Sequence, residues 1–232
     1  MALWRQIEQA VARHITQGTF KPGEQLPTEQ SLAEQFAVNR HTLRRAMAEL
    51  EERGLVRIEQ GRGSFVQEPV VAYNLSKRTR FSENLSRGGR TPGGSLVRIS
   101  EESARAVVAR GLGLSRGATI VVIETVGDAD GQRISYGRHH FAKQRFGGIA
   151  SAYRREGSIT AALRSLGIED YVRRSTSVLA RMPTAEEARH LRQPRGRPVL
   201  VAESVNVDDR GKPVEYGISC FASDWVQLVV EP

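Results

Sequence analysis

Four side chains between residues 40 and 45 have the types and spacing to bind an anion. At about 100° per residue along a helix, Arg40, His41, Arg44 and Arg45 share an arc of about 140°. Arginine offers a planar fork of donors that matches phosphate oxygens and the O6 and N7 acceptors of guanine. Leucine, alanine and methionine fill the opposite arc. The segment therefore predicts a helix with one buried face and one basic face, which either is solvated or enters the major groove of DNA.

The residues before and within this segment predict three helices. Apolar residues at helical spacing begin at Leu3, and Gly18 is expected to end this first helix. Thr28 is a predicted N-cap of a short second helix, and Asn39 of a third helix that runs to about Arg53. The basic face lies on the third helix, directly after the short second one, which favours DNA binding over a solvated face.

A hairpin is predicted to follow the third helix. Two short β-rich runs, 55–58 and 64–66, flank a turn at 60–63. Arg62 stands between two glycines in this turn, and glycine lets a backbone come close to DNA. Three helices followed by a hairpin are the order of a winged helix-turn-helix. Residues 1–66 are therefore predicted to be a DNA-binding domain.

Composition limits the class of protein. The length of 232 residues fits one or two domains, and 39% apolar with 26% charged residues is typical of a folded chain. No apolar run approaches the roughly 18 residues of a membrane span, and the N-terminus lacks the pattern of a signal peptide. Cys220 is the one cysteine, which excludes an internal disulfide and a cysteine zinc site. We expect a cytoplasmic protein that uses no metal or other cofactor.

The net charge of +8 does not by itself locate a partner. Residues 1–66 hold nine Lys and Arg against eight Asp and Glu, whereas residues 67–232 hold 25 against 18. Thirty of the 34 basic residues are arginine. A basic balance usually points to nucleic acid, but here most of the excess lies outside the predicted DNA-binding domain.

The remaining residues predict a linker over 67–78 and an antiparallel α+β domain over 79–232. Turn residues at 128–131 and 209–211 predict two hairpins. The predicted helices are 81–87, 101–112, 144–155, 158–166 and 184–192, and the predicted strands are 93–100, 118–127, 133–142, 171–182, 198–207 and 213–223. The fold class is thus two-domain α+β.

Residues 26–66 resemble the DNA-binding domain of GntR-family bacterial transcription regulators. The resemblance is carried by the helix start Pro27-Thr28-Glu29, the recognition-helix string 38–46 (VNRHTLRRA) and the wing Gly61–Gly63. It implies the following DNA contacts, to which the basic arc adds Arg45: Thr28, Arg40, His41, Thr42, Arg44, Arg62 and Gly63. Gln30 stands where some members of the family place an arginine that reads DNA.

The pattern over about 79–230 resembles the UTRA effector-binding domain of the HutC branch of that family, whose fold is similar to chorismate lyase. Short strings such as 79–85 (TRFSENL) and 214–219 (VEYGIS) are similar to the phosphonate-metabolism regulators of this branch. The resemblance implies a homodimeric repressor, without enzymatic activity, that binds double-stranded operator DNA and no membrane. A small anionic effector, phosphonate-like or phosphate-like, is expected to modulate its DNA affinity.

The resemblance implies an effector site between the helix over 81–87, the central strands and the last strand pair, and it adds a hydroxyl pair at the start of the helix over 158–166. The candidate effector ligands are Arg80, Ser82, Asn84, Arg138, His139, Ser158, Thr160, Arg174, Glu215 and Tyr216. Since side chains alternate along a strand, at most one of His139 and His140 faces a given pocket, and the same holds for Arg173 and Arg174. Glu215 could instead satisfy a buried donor.

Two other interpretations stay open at this point. Sugar-phosphate sensors of the branch carry an Arg-x-Arg pair where this chain has about Thr125 and Gly127, which weakens that ligand class. A sugar phosphate, a histidine-pathway intermediate or a fatty acid is nevertheless an alternative effector. The second alternative is an enzyme with the chorismate lyase fold. The sequence shows no Ser/His/Asp pattern, phosphate-binding loop or metal-ligand spacing to support it.

Overall fold

The chain divides into two compact units, Met1–Pro69 and Val70–Pro232. The structure is a computed structural model that describes residues 2–67 and 70–230. None of the helices in these two ranges is long and apolar enough to span a membrane. Each unit has its own hydrophobic core and is described separately below.

The first unit is the predicted winged helix-turn-helix. Its elements are α1 (Leu3–Thr16), α2 (Glu29–Gln35), α3 (Arg40–Glu52), β1 (Val56–Glu59) and β2 (Gly63–Val66), with β1 and β2 antiparallel. Both predicted caps are present: the hydroxyl of Thr28 accepts from Ser31 N at 3.2 Å, and Oδ1 of Asn39 accepts from Thr42 N at 2.8 Å. These bonds satisfy amide groups that a helix start would leave unpaired, so they fix where α2 and α3 begin.

The strands of the second unit are β3 (Val71–Asn74), β4 (Pro92–Ser103), β5 (Thr119–Ala129), β6 (Gln132–Ala142), β7 (Val172–Arg181), β8 (Val199–Val207), β9 (Pro213–Ala222) and β10 (Val226–Val229). Six of them form an antiparallel sheet in the order β4-β5-β6-β9-β8-β7. The helices of this unit are α4 (Phe81–Arg87), α5 (Ala106–Leu112), α6 (Lys143–Phe146), α7 (Ile149–Glu156), α8 (Ile159–Ser165) and α9 (Ala185–Leu191). The two predicted hairpins are β5–β6 and β8–β9.

The two faces of this sheet have different partners. On one face, Ile123 and Phe141 pack with residues of α7 and α8 such as Ile149 and Leu163. On the other face, one cluster contains α5 residues beside Val122 and a second contains Leu191 of α9. The sheet is therefore a middle layer, and the α7–α8 side is the one that also carries the cavity described below.

Three predicted element boundaries differ from the structure. Residues 71–74, predicted as linker, form β3, which pairs in parallel with β10. The predicted helix over 101–112 begins only at Ala106, because 101–103 continue β4 against β5. The predicted helix over 144–155 is divided at Gly147-Gly148 into α6 and α7. In the first two cases a long-range strand pairing overrides the local pattern, and glycine is a poor helix former in the third.

Leu163 and Leu166 offer a matched test of the packing of α8. Leu163 is fully buried, whereas Leu166 is 38% exposed. We expect Leu163→Ala to lower the free energy of unfolding by about 2–5 kcal/mol, because it leaves a cavity in the core, and Leu166→Ala by less than about 1 kcal/mol. Urea denaturation of the two variants measures the difference; equal losses would contradict the assigned core.

Candidate DNA interface and effector cavity

Helix α3 presents the basic face that the sequence predicted. Its buried residues are Leu43, Ala46, Met47 and Leu50. Arg40, His41, Arg44 and Arg45 are exposed on the opposite side, and Thr42 is half-buried, with its hydroxyl 3.0 Å from Oδ1 of the cap Asn39. The face is thus free to contact a ligand while the apolar side anchors the helix.

Two side chains of α2 hold the two arginines of α3 that face them. Nη2 of Arg40 donates to Oε1 of Gln30 at 3.3 Å, and Nε of Arg44 donates to Oε2 of Glu29 at 2.8 Å. The Arg44 side chain is still 62% exposed, so solvent weakens this ion pair and a DNA phosphate can replace it at little cost. The sequence marked Gln30 as a departure from the family, and the structure makes it a partner of Arg40.

Arg45 and the wing are supported by other contacts. The guanidinium of Arg45 lies 4.5 Å from the ring centroid of Trp4, which fixes its direction. In the wing, Arg62 pairs with Glu59 at 2.5 Å, and its carbonyl accepts from Nε2 of Gln25 at 2.7 Å. Gly63 has φ +111°, and a Cβ there would lie 2.8 Å from the same Gln25 nitrogen. Only glycine fits this wing tip without strain.

A cavity of about 780 Å³ lies in the second unit. It is lined by side chains from α4, from α8 and from the sheet face that α7 and α8 also cover. Six of the predicted effector ligands line it: Arg80, Ser82, His139, Ser158, Thr160 and Glu215. Thr125 and Gly127 line it as well. The positions at which sugar-phosphate sensors carry two arginines therefore face the cavity without a cation.

The other four predicted ligands do not line the cavity. Asn84 is buried and holds β3 instead: its Nδ2 donates to the carbonyl of Asn74 at 2.7 Å, and its Oδ1 accepts from Asn74 N at 3.1 Å. Arg138 pairs with Glu124 and Glu102. These contacts correct the sequence-based placement of Asn84 and Arg138.

Tyr216 and Arg174 are also corrected. Tyr216 packs with the α5 cluster on the other face of the sheet, where its hydroxyl donates to Oε2 of Glu203 at 2.6 Å. Arg174 is exposed and lies at a β-bulge, where the pairing with β8 steps from Arg173 to Ser175. Because side chains alternate along a regular strand, the neighbours of His139 and Glu215 point away from the cavity.

Three arginines that the sequence reasoning missed line the cavity, Arg154, Arg164 and Arg173, and Arg173 is the one that comes from the sheet. It lines the cavity, and its Nε is buried without a hydrogen-bond partner in the part of the chain that the structure describes. No carboxylate of residues 2–67 or 70–230 forms an ion pair with it. The Arg173-Arg174 pair was the signal, but the sequence could not indicate which of the two faces inward.

Glu215, which is buried, and His139, which is half-buried, form a polar pair on the cavity floor. Nδ1 of His139 is 2.5 Å from Oε1 of Glu215, and Nδ2 of Asn206 donates to Oε2 at 2.7 Å. Burial alone would raise the pKa of Glu215, but the hydrogen bonds from His139 and Asn206 and the charge of Arg173 outweigh it and lower the pKa. Glu215 is therefore an ionised acceptor at neutral pH.

Arg80 is engaged by the chain itself. Its Nη2 donates to the carbonyl of Tyr171 at 2.7 Å and to Oδ1 of Asp170 at 3.2 Å, and its guanidinium lies 3.5 Å from the Tyr171 ring centroid. The Tyr171 hydroxyl is 2.9 Å from Oγ1 of Thr160, and burial raises the pKa of Tyr171 to about 12. Arg80 thus lines one wall of the cavity with its Nη2 already held by the chain itself.

Comparisons with known proteins place this geometry in a family. Residues 3–66 match the bacterial regulatory proteins of the gntR family, and residues 87–227 match the UTRA domain. An uncharacterized HTH-type transcriptional regulator of Rhizobium meliloti is 40% identical to the chain; the alignment covers 100% of this chain and 95% of that protein. The probable transcriptional regulator PhnF of Escherichia coli is 32% identical, and the alignment covers 97% of this chain and 91% of that protein.

A solved structure of a PhnF protein has a fold similar to that of this chain. The crystal structure of PhnF from Mycobacterium smegmatis superposes with a TM-score of 0.67 at 26% identity, covering 97% of this chain and 98% of that one. A winged helix-turn-helix joined to a UTRA domain defines a class of bacterial transcription regulator. The chain belongs to the GntR family and is of the HutC type, with PhnF among its homologues.

Two glycines of the second unit test how tightly the cavity floor is packed. A Cβ on Gly137 would lie 2.9 Å from Nε2 of His139 and 3.2 Å from Oγ1 of Thr125, whereas a Cβ on Gly196 would meet nothing within 4 Å. We expect Gly137→Ala to lower the free energy of unfolding by about 1–3 kcal/mol through overpacking, and Gly196→Ala to have no such effect. Thermal and urea denaturation measure both; a neutral Gly137→Ala would contradict the packing of His139.

Proposed function

We propose that this chain is an effector-controlled repressor of phosphonate uptake or metabolism genes. A homodimer would place two α3 helices one helical turn apart on a pseudo-palindromic operator. The observation that carries the proposal is the exposed basic face of α3, in a chain whose relatives are transcription regulators of the same two-domain type. Two of those relatives carry the name PhnF, and one of the two is called a repressor.

The phosphonate assignment is supported by the chemistry of the cavity. A cavity lined by arginine, serine and threonine side chains suits a small oxyanion. The absence of arginine at Thr125 and Gly127 disfavours the sugar-phosphate alternative. Regulation then follows from differential affinity: an effector that binds one dimer geometry better shifts the population to it, and a coupling of about 1–3 kcal/mol is typical.

A band-shift titration on the DNA upstream of the chain's own gene tests the proposed function. We expect tight binding that weakens steeply between two salt concentrations, because phosphate contacts release counterions. A phosphonate, inorganic phosphate and glucosamine-6-phosphate are then added separately, and release by the phosphonate alone is the expected result. Binding that no such anion alters would contradict phosphonate control, and absence of binding would contradict the operator assignment as well.

Arg44→Ala and Arg13→Ala form a matched pair in that assay. Both remove one exposed positive charge from the first unit, but only Arg44 lies on the basic face of α3. We expect Arg44→Ala to weaken operator binding about tenfold or more, in line with the roughly 1.5–3 kcal/mol of a hydrogen bond to a charged group. Arg13→Ala should cost much less. Equal losses would mean that only net charge matters.

Gln30→Ala tests whether the α2 residue positions Arg40. Gln30 is exposed, so its removal should leave the free energy of unfolding nearly unchanged. We expect it to weaken operator binding several-fold because Arg40 loses its acceptor. A double-mutant cycle with Arg40→Ala separates the two roles: Gln30→Ala should cost little once Arg40 is absent. Additive losses would indicate that Gln30 contacts DNA on its own.

A further inference from the structure

Two charged side chains of opposite sign lie on the strands that form the cavity floor, and Arg80, Glu83, Arg154 and Arg164 line the cavity from outside the sheet. Arg173 comes from β7 and Glu215 from β9, and both line the cavity. A guanidinium stays charged at every physiological pH. The buried Nε of Arg173 has no hydrogen-bond partner among residues 2–67 and 70–230, which is a cost that a bound acceptor would remove. Arg173 is therefore the group in this cavity that most needs an oxyanion.

Glu215 is the opposite pole. It is 5% exposed, and its two oxygens accept from His139 and Asn206. Each carboxylate oxygen has further acceptor capacity, so Glu215 can still accept hydrogen bonds from a ligand. Arg173 contributes to its ionisation through its charge but lies beyond ion-pair distance. The carboxylate is therefore not neutralised by a direct contact with Arg173.

A simple anion fits only one of these poles. It would be attracted to Arg173 and repelled by Glu215 in the same cavity. A ligand with a donor group at its other end satisfies both. Three serines on the strands of the cavity floor can donate to further oxygens of the anionic group: Ser135, Ser204 and Ser219.

We propose that the effector is amphoteric: its oxyanion group binds Arg173, and an ammonium or hydroxyl group of the same molecule donates to Glu215. The proposal rests on the proposed function for the existence of an effector. It names the ligand class as a small phosphonate that carries an amine or a hydroxyl group. Arg80 is a lesser contact, because its Nη2 already donates to Asp170 and to the Tyr171 carbonyl, whereas no carboxylate holds Arg173 among the described residues.

Isothermal titration calorimetry of the full chain with a matched set of compounds tests the two poles. The set is 2-aminoethylphosphonate, 2-hydroxyethylphosphonate, ethylphosphonate and ethanolamine, so that each pole is present alone or with the other. We expect the two functionalised phosphonates to bind at least tenfold more tightly than ethylphosphonate, and ethanolamine to show no binding. Equal affinity for all three phosphonates overturns the proposal that the ligand is amphoteric. The proposal is also overturned if none of the three phosphonates binds.

Three variants assign the poles to residues. Arg173→Gln should abolish binding of every phosphonate, whereas Arg174→Gln, which changes an adjacent exposed arginine outside the cavity, should bind as the wild type does. Glu215→Gln should reduce the affinity for 2-aminoethylphosphonate to that for ethylphosphonate. Thermal melting checks that each variant is folded. If Glu215→Gln does not fold, the comparison of ligands on the wild type decides that pole, because it needs no substitution.

The outcome for this inference is separate from that for the proposed function. Phosphonate binding by calorimetry without any effect on operator binding would contradict the proposed regulation and leave the amphoteric site standing. Operator release by a phosphonate that Arg173→Gln does not weaken would leave the regulation standing and overturn the site. Retained binding in Arg173→Gln with loss in Arg174→Gln would likewise overturn the assignment of the anion to Arg173.

Discussion

The alternation of side chains along the strands of the six-stranded sheet is the constraint on which the second unit depends. In each strand in the middle of the sheet, alternate residues line the cavity, and the residues between them lie on the opposite face. His139 and Glu215 face the cavity, so Arg138 and Tyr216 must face away and find partners there. The antiparallel ladder fixes this division and gives the cavity a floor of polar side chains.

The sequence predicted most of what is local. The caps Thr28 and Asn39, the buried side of α3 and the exposed arginines opposite Leu43 all follow from spacing over a few residues, and the structure has each of them. The same is true of Thr184, whose hydroxyl and the carboxylate of Glu187 form a capping box at the start of α9. These features were predictable because neighbours along the chain supply both partners of the interaction.

What the sequence did not predict depends on partners far along the chain. β3 was placed in a linker because four residues carry no period of their own, and the strand exists only through β10 at the other end of the unit. Asn84 was predicted to bind the effector because its actual partner, Asn74, lies in this unpredicted strand. A bulge after Arg173 determines which residues of β7 face the cavity. A shift of one residue in the pairing with β8 moves each side chain to the other face of the sheet, so only the pairing register shows which of Arg173 and Arg174 faces the cavity.

Pairing, and not total charge, distinguishes the arginines that a ligand can use. Much of the positive excess lies in the second unit, but many of its arginines already hold a carboxylate, as in Arg98–Glu124, Arg145–Asp208 and Arg181–Glu187. A guanidinium that has its anion gains little from another. On α3 the partner of Arg44 is a solvent-exposed carboxylate that phosphate can replace, and in the cavity Arg173 has no ion-pair partner among the described residues. Both sites therefore follow from the same rule: an arginine is available for recognition where the fold leaves its anion weakly bound or missing.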